Sequence, residues 1–347
     1  MNQDFRAVQS QNNLSVIIPV FNAREYIRET LEHLLKALQN TKLENYEVLI
    51  VDDGSTDSLV DEIENFKSHN PSAGIRLIQQ DNQGRLLARL KGLKEAKHSY
   101  CLLIDSRVLI SATSLADSMP PVDKLDSTVV SGPCRFPDNS SLLELYWDSV
   151  TKIAWSDYHR SPSRMLLTSE NFNKLPKGTT CLLAPVDVLL DETVACMSES
   201  TLSKDLVNDD TAILRNVVLK TNYWIDPKLD AIYQPRSSLA KFITHAFHRG
   251  KVFTHGFLGT WSRLKLLLLL TLILAAFSLM IFGALLWPAL FLMGVVTSAA
   301  LLSAYCIKIK LSFKNLLSLY LYTPFFLFSY GSGLVTGLLK TILKKNS

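Results

Sequence analysis

Short apolar runs alternate with segments of helical periodicity over the first 110 residues. Four β-branched or aliphatic runs predict buried strands: LSVIIPVFN from Leu14, YEVLIVDD from Tyr46, IRLIQQ from Ile75 and SYCLLID from Ser99. The segments between them carry apolar residues at helical spacing, as in REYIRETLEHLLKAL from Arg24. Strands that alternate with helices of this length predict βαβ units and a mostly parallel sheet, and therefore an α/β fold.

The apolar pattern changes near residue 263. From Leu266 to Ile307 there is no charged residue, and as a helix this run would extend about 60 Å, twice the ~30 Å thickness of a bilayer core. Trp287 and Pro288 lie near its middle, where a turn would fall. The pattern predicts a membrane hairpin with spans at about 264–286 and 289–307.

A second uncharged run extends from Asn315 to Leu339 and is interrupted by Pro324 and by two glycines. It predicts a third span at about 315–339, kinked at Pro324. Basic residues flank the hairpin on both sides, which predicts a cytoplasmic location for the part of the chain that precedes it. Because the C-terminal tail is also basic, the alternative is a last segment that re-enters the membrane and returns.

The segment before the first span is amphipathic. Leu239, Phe242 and Phe247 share one helical face, while basic residues lie elsewhere. Such a segment predicts an interfacial helix in contact with membrane lipids. The chain is thus predicted to contain a cytoplasmic domain over 1–235, an interfacial helix over 236–262 and an all-α transmembrane region over 263–347.

Composition supports this division. The 347 residues carry a net charge of +4, too small a basic excess to indicate a nucleic-acid partner. The mean hydropathy of +0.15 is high for a soluble protein and agrees with membrane helices. Five cysteines without a CxxC pair argue against a disulfide framework or a zinc site, and they suit a reducing cytoplasm.

Acidic residues follow two of the predicted strands. Asp52 and Asp53 end the second strand, and Asp105 ends the fourth. Ligands of such sheets bind beyond the carboxyl ends of the strands. The sequence has neither GxGxxG nor a phosphate loop, so a nucleotide would be bound differently. The acids can accept hydrogen bonds from a base and a ribose, and a cation would then be needed for the phosphates.

These blocks resemble the N-terminal half of family 2 glycosyltransferases. The resemblance rests on SVIIPVFNAREYIRETLEHLL, YEVLIVDDGSTD, NQGRLLARLKGLKEA and YCLLIDSRV, in this order and spacing. It continues more loosely through KGTTCLLAP, NDDTAILR and YQPRSSLAKFITHAFHRG into the membrane helices. The resemblance implies a GT-A fold and an inverting enzyme that uses a nucleotide-activated sugar, with UDP as the favoured nucleotide.

The resemblance assigns residues to the donor. Pro19 and Phe21 are implied to line the base, with Asp53 at the base edge and Asp52 beside it. Arg89 matches the arginine of an Ala-Arg-Asn motif whose asparagine is Leu90 here. It is implied to approach the diphosphate or to pair with Asp53, and the alternative is an exposed helical arginine.

Asp105 matches the first acid of the family's DxD motif, which holds Mg²⁺ or Mn²⁺. The metal-ligating third position is Arg107, which leaves three interpretations. Asp105 and the diphosphate hold a weakly bound cation while Arg107 pairs with an acid, or Arg107 itself binds the diphosphate, or Arg107 is merely solvated. We favour the first.

The resemblance also assigns residues to the acceptor. Asp210 is implied to be the general base, with Asp209 as its neighbour, although the family's second acid is Ala212 here. An adjacent carboxylate raises the pKa of a base and helps it to accept a proton. The alternative is a pair of first-turn acids that favours the helix dipole.

Two further segments are implied to touch the acceptor or the diphosphate. Gly178 and Thr179 match a loop of small residues below the sugar, with a plain turn as the alternative. His245, His248 and Arg249 resemble a variant of a Gln-x-x-Arg-Trp motif that lacks the tryptophan, with lipid headgroup contact as the alternative.

The sequence therefore predicts a membrane-anchored transferase that acts on a lipid-linked or growing glycan. The closest alternative is a polyprenyl-phosphate sugar synthase, in which the acceptor is a phosphate. An alternative of another class is a catalytically degenerate binding or assembly subunit, which Arg107 would favour.

Overall fold

A computed structural model describes residues 12–199, 209–235, 238–258 and 263–344. Within these ranges the chain forms two compact units. The sheet unit contains residues 12–138, 161–199 and 209–235, and the helical unit contains residues 139–160, 238–258 and 263–344. The sequence analysis includes residues 139–160 in its first domain, whereas the structure groups them with the helical unit.

The strands and helices are as follows. The strands are β1 Asn13–Val20, β2 Asn45–Asp52, β3 Ile75–Gln79, β4 Tyr100–Ile104, β5 Val108–Ile110, β6 Thr128–Ser131, β7 Cys134–Arg135, β8 Met165–Leu167, β9 Cys181–Pro185, β10 Asn222–Ile225 and β11 Ala231–Tyr233. The helices are α1 Arg24–Gln39, α2 Leu59–His69, α3 Arg85–Glu95, α4 Ser114–Ser118, α5 Leu142–Ala154, α6 Ser156–Arg160, α7 Val186–Glu199, α8 Asp209–Lys220, α9 Leu239–Leu258, α10 Arg263–Leu286, α11 Pro288–Lys308 and α12 Phe313–Lys344.

The main sheet has the order β3-β2-β1-β4-β9-β6-β10-β8. Its first four strands are parallel, β9 is antiparallel between β4 and β6, and β8 is an antiparallel edge strand. The predicted mostly parallel α/β sheet is confirmed. Val20 pairs with Asp52, and Asp52 pairs with Gln79. The carboxyl ends of β1, β2 and β3 therefore lie side by side at one edge, where the acids are.

The sheet is covered by helices whose apolar faces follow the predicted spacing. On α1, Ile27, Leu31 and Leu34 are fully buried against the strands. On α3, a side chain at Gly92 would come within 2.4 Å of a methyl group of Ile17. The glycine thus lets α3 approach β1 closely, and this approach places the N-terminal end of α3 near the acidic edge.

The helical unit contains a helix from the middle of the sequence. Ser141 and Glu144 form a reciprocal cap at the start of α5. The apolar face of α5 packs against residues of α9, α11 and α12, and includes Leu143 and Tyr146 beside Phe242, Cys306 and Leu319. This shared core explains why residues 139–160 group with the C-terminal helices.

The last apolar segment is one continuous helix. α12 passes through Pro324 and through both glycines of the GSG segment without a break, so the re-entrant alternative is wrong. A side chain at Gly333 would lie 2.0 Å from the Phe247 oxygen, and one at Gly250 would lie 2.1 Å from the Tyr330 oxygen. The glycines are therefore contact points at which the backbones of α9 and α12 meet.

Two helices in the described part of the chain are long and apolar enough to cross a membrane. The mean hydropathy is 2.0 in Pro288–Lys308 and 1.3 in Phe313–Leu343. They correspond to the predicted second and third spans. The predicted first span coincides with α10, and several of its side chains lie outside the described residues. The predicted interfacial segment coincides with α9, apart from its undescribed ends.

Candidate active site

The acids at the end of β2 are buried, and Asp53 is the most fully bonded of them. Its Oδ1 accepts hydrogen bonds from Gln80 Nε2 at 2.7 Å and from the Gln83 backbone N–H at 2.9 Å. Its Oδ2 accepts from the Gly84 N–H at 2.8 Å. The carboxylate thus holds the loop that leads into α3. The sequence analysis placed Asp53 at a base edge and did not foresee this anchoring role.

Asp52 and the loop after β1 form a second set of contacts at this edge. Asp52 Oδ1 accepts from the Ser55 N–H at 3.0 Å and closes the acidic turn. Asn22, in a left-handed conformation, donates its N–H to Ser55 Oγ at 2.9 Å and accepts from the Thr56 N–H at 2.8 Å. The loops that follow β1 and β2 are therefore tied to each other.

The two residues assigned to the base differ in accessibility. Pro19 is buried within β1, opposite Val51. Phe21 lies just beyond the strand and is 49% exposed. Of the two, Phe21 offers an aromatic surface to a ligand, while Pro19 contributes to the strand below it.

Arg89 and Asp105 form a buried ion pair. Arg89 lies on α3 and is 4% exposed, and its Nη2 donates to Asp105 Oδ1 at 3.0 Å. Both the predicted pairing with Asp53 and the exposed alternative are therefore wrong. The Asp105 N–H donates to the Thr180 carbonyl at 3.0 Å, which joins the end of β4 to the loop before β9.

Arg107 lies between two aromatic rings. Its guanidinium is 4.1 Å from the centre of the Tyr26 ring and 5.7 Å from that of Tyr233. Its Nη2 donates to the Pro235 carbonyl at 3.0 Å. The expected acidic partner and the solvated alternative are both wrong, because the guanidinium is held by ring faces and a carbonyl oxygen. Arg107 thus fixes the end of β11.

Ligands for a divalent cation are sparse. In the ranges that the structure describes, no three His, Cys, Asp or Glu side chains are grouped so as to hold a metal ion. Asp105 Oδ1 is engaged by Arg89, while its Oδ2 accepts no hydrogen bond from a described residue. Among the described residues, Asp105 therefore offers one carboxylate oxygen at this position. A cation here would need most of its ligands from elsewhere.

The structure describes Gly178 and Thr179 in full, but only the backbone of the two acids assigned to the acceptor. Asp209 and Asp210 begin α8, but their side chains lie outside the described residues. Thr179 is buried and Gly178 is half-buried, in the loop whose Thr180 bonds to Asp105.

Burial raises the pKa of Cys134 to about 12, so this thiol close to Asp105 stays protonated.

Comparison with known proteins identifies the sequence family that part of the chain resembles. Residues 15–174 match the sequence model of glycosyl transferase family 2. Over these residues the chain is similar to the family 2 glycosyltransferases. It is 30% identical over 120 residues to glycosyltransferase GlyG from Streptococcus pneumoniae, a match that covers 34% of this chain and 38% of GlyG. The match thus spans well under half the length of that relative.

Two other proteins match this chain over nearly its whole length. A dolichyl N-acetyl-α-D-glucosaminyl phosphate 3-β-D-2,3-diacetamido-2,3-dideoxy-β-D-glucuronosyltransferase from Methanococcus voltae is 22% identical over 342 residues, 97% of this chain and 99% of that one. The mannosyltransferase PcManGT from Pyrobaculum calidifontis, solved with GDP-Man and Mn²⁺, is 13% identical with a TM-score of 0.57, over 99% of this chain and 92% of that chain. At this identity the second match shows the fold alone, which is the predicted GT-A fold.

In the helical unit, α9 carries the three residues assigned to the diphosphate. The Arg249 guanidinium is 4.8 Å from the centre of the Trp147 ring, and its Nε donates to His245 Nε2 at 3.4 Å. Trp147 and His245 are also in edge contact, with ring centres 5.1 Å apart. His248 is exposed on the same helix.

Trp147 is a residue that sequence reasoning missed. The motif resembled by HAFHRG ends in tryptophan, which α9 lacks, and α5 places Trp147 against the arginine instead. The available signal was the helical apolar spacing of α5, in which Leu143, Tyr146, Trp147 and Val150 share one face. That spacing predicts a packed helix but does not reveal its partner.

Proposed function

We propose that this glycosyltransferase transfers a sugar, with inversion, from a nucleotide-diphosphate sugar to a hydroxyl of a lipid-linked or growing glycan. UDP is the nucleotide we favour. The observation that carries the proposal is the buried Arg89–Asp105 pair at the strand ends of a family 2 domain, beside Asp52 and Asp53. The pair lies beyond the carboxyl ends of parallel strands, which is where ligands of such sheets bind.

The donor site is proposed to lie along this edge. The exposed ring of Phe21 would stack on the base, and Asp52 would accept a hydrogen bond from the base or ribose with its second oxygen. Asp53 would act mainly by holding the loop before α3, where its three bonds fix the backbone. Arg89 would orient Asp105 toward the diphosphate.

A divalent cation, Mg²⁺ or Mn²⁺, is proposed to accompany the donor. Asp105 Oδ2 would be the ligand from this chain, and the diphosphate oxygens would supply most of the others. When bound, the ion would neutralise charge on the leaving diphosphate. The described residues supply a single carboxylate oxygen, which implies weak binding, and the protein solved with Mn²⁺ shares the fold.

The acceptor is proposed to be a hydroxyl, with Asp210 as the base that takes its proton. Asp209 beside it would raise the basicity of the pair. The Methanococcus voltae relative, whose name specifies a dolichyl-phosphate-linked sugar acceptor, supports a lipid-linked glycan. The apolar helices α11 and α12 would hold the enzyme at the membrane, with the sheet unit on the cytoplasmic side by the distribution of basic residues.

A second candidate is a polyprenyl-phosphate sugar synthase. It is favoured by a dolichyl-phosphate β-glucosyltransferase from Dictyostelium discoideum, 29% identical over 127 residues, which cover 34% of this chain and 39% of that protein. In such an enzyme the acceptor is already an anion and does not require a base.

The test measures transfer of radiolabelled sugar from UDP-sugars into a lipid extract by the purified full chain. Asp210→Asn should lower turnover by at least ~10²-fold while UDP affinity is unchanged, because the variant loses the base and keeps the shape. Asp187→Asn, an exposed first-turn acid of α7, is the matched control and should be neutral. Near-normal turnover in Asp210→Asn would favour the synthase, and a parent that neither hydrolyses nor transfers from any UDP-sugar would overturn the enzymatic proposal.

A further inference from the structure

Two cations in the sheet unit share one buried ring. Phe172 follows β8 and is 1% exposed. The Lys177 ammonium is 4.2 Å from the centre of its ring, and the Arg215 guanidinium is 4.7 Å from the same point. The two positive charges are therefore no further apart than the sum of these distances. Neither residue was assigned a role by the sequence.

This arrangement concentrates positive charge at a partly buried position. Burial and the neighbouring Arg215 lower the pKa of Lys177 to about 8. Each cation gains from the ring face, and the Lys177 ammonium also donates to the Leu175 carbonyl oxygen at 3.5 Å. An anion beside both cations would offset their mutual repulsion. The competing explanation is that the two long side chains merely cover the ring with their apolar stems.

Lys177 and Arg215 are each close along the chain to a segment that contains residues assigned to the site. Lys177 precedes the loop 178–180, whose Thr180 carbonyl accepts from the Asp105 N–H at 3.0 Å. Three extended residues span at most about 11 Å, so Lys177 starts close to the end of β4. Arg215 lies on α8, which begins at Asp209, and six residues of helix rise only about 9 Å.

We propose that Lys177 and Arg215 form a phosphate-binding site beside the reaction centre. The guanidinium can bind two phosphate oxygens as a planar fork, and the ammonium adds a compact charge. The source of the phosphate rests on the proposed function. It is either the phosphate that links an acceptor sugar to its lipid or the diphosphate of the donor.

The first experiment measures binding of inorganic phosphate to the full chain by calorimetry. Lys177→Met and Arg215→Met keep an apolar stem over Phe172 but remove the charge. Each should weaken phosphate binding by about ten- to a hundredfold, the usual loss for one charge-assisted hydrogen bond. Lys174→Met is the matched control, because this exposed lysine lies in the same loop. Unchanged affinity in both variants, or an equal loss in Lys174→Met, would overturn the site.

The second experiment separates the two sources. If the phosphate belongs to the acceptor, both variants keep the UDP affinity of the parent and raise the KM for a phosphate-linked lipid acceptor. If it belongs to the donor, UDP affinity falls in parallel with inorganic phosphate. Either result supports the site. Because phosphate calorimetry does not require turnover, a parent that binds phosphate but transfers no sugar would overturn the proposed function and leave this site in place.

Discussion

Replacing Asp53 by alanine tests whether this carboxylate anchors a loop or only reads a base. The change removes three hydrogen bonds, two of them from the backbone N–H groups of Gln83 and Gly84. Hydrogen bonds to a charged group are worth about 1.5–3 kcal/mol each. Gln83 and Gly84 are exposed, so water can replace part of that interaction. About 1 kcal/mol per bond is then the appropriate scale, or roughly 3 kcal/mol for the loop.

The assay is hydrogen exchange of the amides of residues 80–84 in the full chain, together with UDP calorimetry. A loss of roughly 3 kcal/mol should lower protection of Gln83 and Gly84 by about a hundredfold. UDP affinity should fall with it, since the loop beside the donor site loses its fixed position. Asp53→Asn should show a smaller loss of protection, because it keeps an oxygen acceptor but turns an amide N–H toward Gly84.

Glu64→Ala is the control, since Glu64 lies on the exposed face of α2 and pairs only with Lys67 among the described residues. Full protection of Gln83 and Gly84 in Asp53→Ala would refute the anchoring role. Loss of UDP affinity without loss of protection would instead restore direct contact with the base as the main role.

Three further predictions follow from single contacts. Arg107→Ala should lower the thermal stability of the sheet unit, because it removes the stacking on Tyr26 and the bond to Pro235, worth about 2 kcal/mol together. Excess EDTA should stop sugar transfer by both the parent and this variant, and a parent whose transfer is unaffected by EDTA would exclude the metal. Gly333→Leu should lower the melting temperature in detergent, because a side chain there meets the Phe247 oxygen. Gly331→Ala should leave it unchanged, because that position is open. Equal melting temperatures for the two variants would contradict the close contact at Gly333. The phosphate affinity of the parent should fall as the pH rises through the lowered pKa of Lys177, at about 8, because the lysine loses its charge there. Lys177→Arg should keep its phosphate affinity to higher pH. Identical pH profiles for the parent and Lys177→Arg would exclude Lys177 as the titrating group.

Aromatic packing in the helical unit explains how α9 is held. Phe242 contacts Tyr146 and Trp147 of α5, with ring centres 5.2 and 5.9 Å away. Gly250 meets the α12 backbone at Tyr330. The segment that carries His245, His248 and Arg249 is thereby fixed on two sides. A fixed helix keeps its polar residues in one geometry, which is what contact with a diphosphate or a headgroup requires.

Local sequence patterns are enough to predict the first strands and helices and the edge of the sheet at which the candidate site lies. β1 to β4 and the helices between them follow from periods of two and 3.6 residues, which depend only on near neighbours along the chain. Asp52, Asp53 and Asp105 fall at strand ends for the same local reason. The absence of charge over residues 288–307 likewise predicts a membrane helix without reference to any partner.

Which side chains come into contact depends on how these strands and helices pack against each other. The partner of Arg89 is Asp105 rather than Asp53, and Arg107 lies on Tyr26, because α3 packs on β1 and α1 packs on β5 at distances that close-packed side chains set. α12 continues through Pro324, because packing against neighbouring helices compensates for the backbone hydrogen bond that proline cannot donate. Trp147 joins α9 from a helix about a hundred residues earlier. Contacts at such separations leave no periodic signal in the sequence, because they depend on how the elements pack and not on the spacing of residues within any one of them.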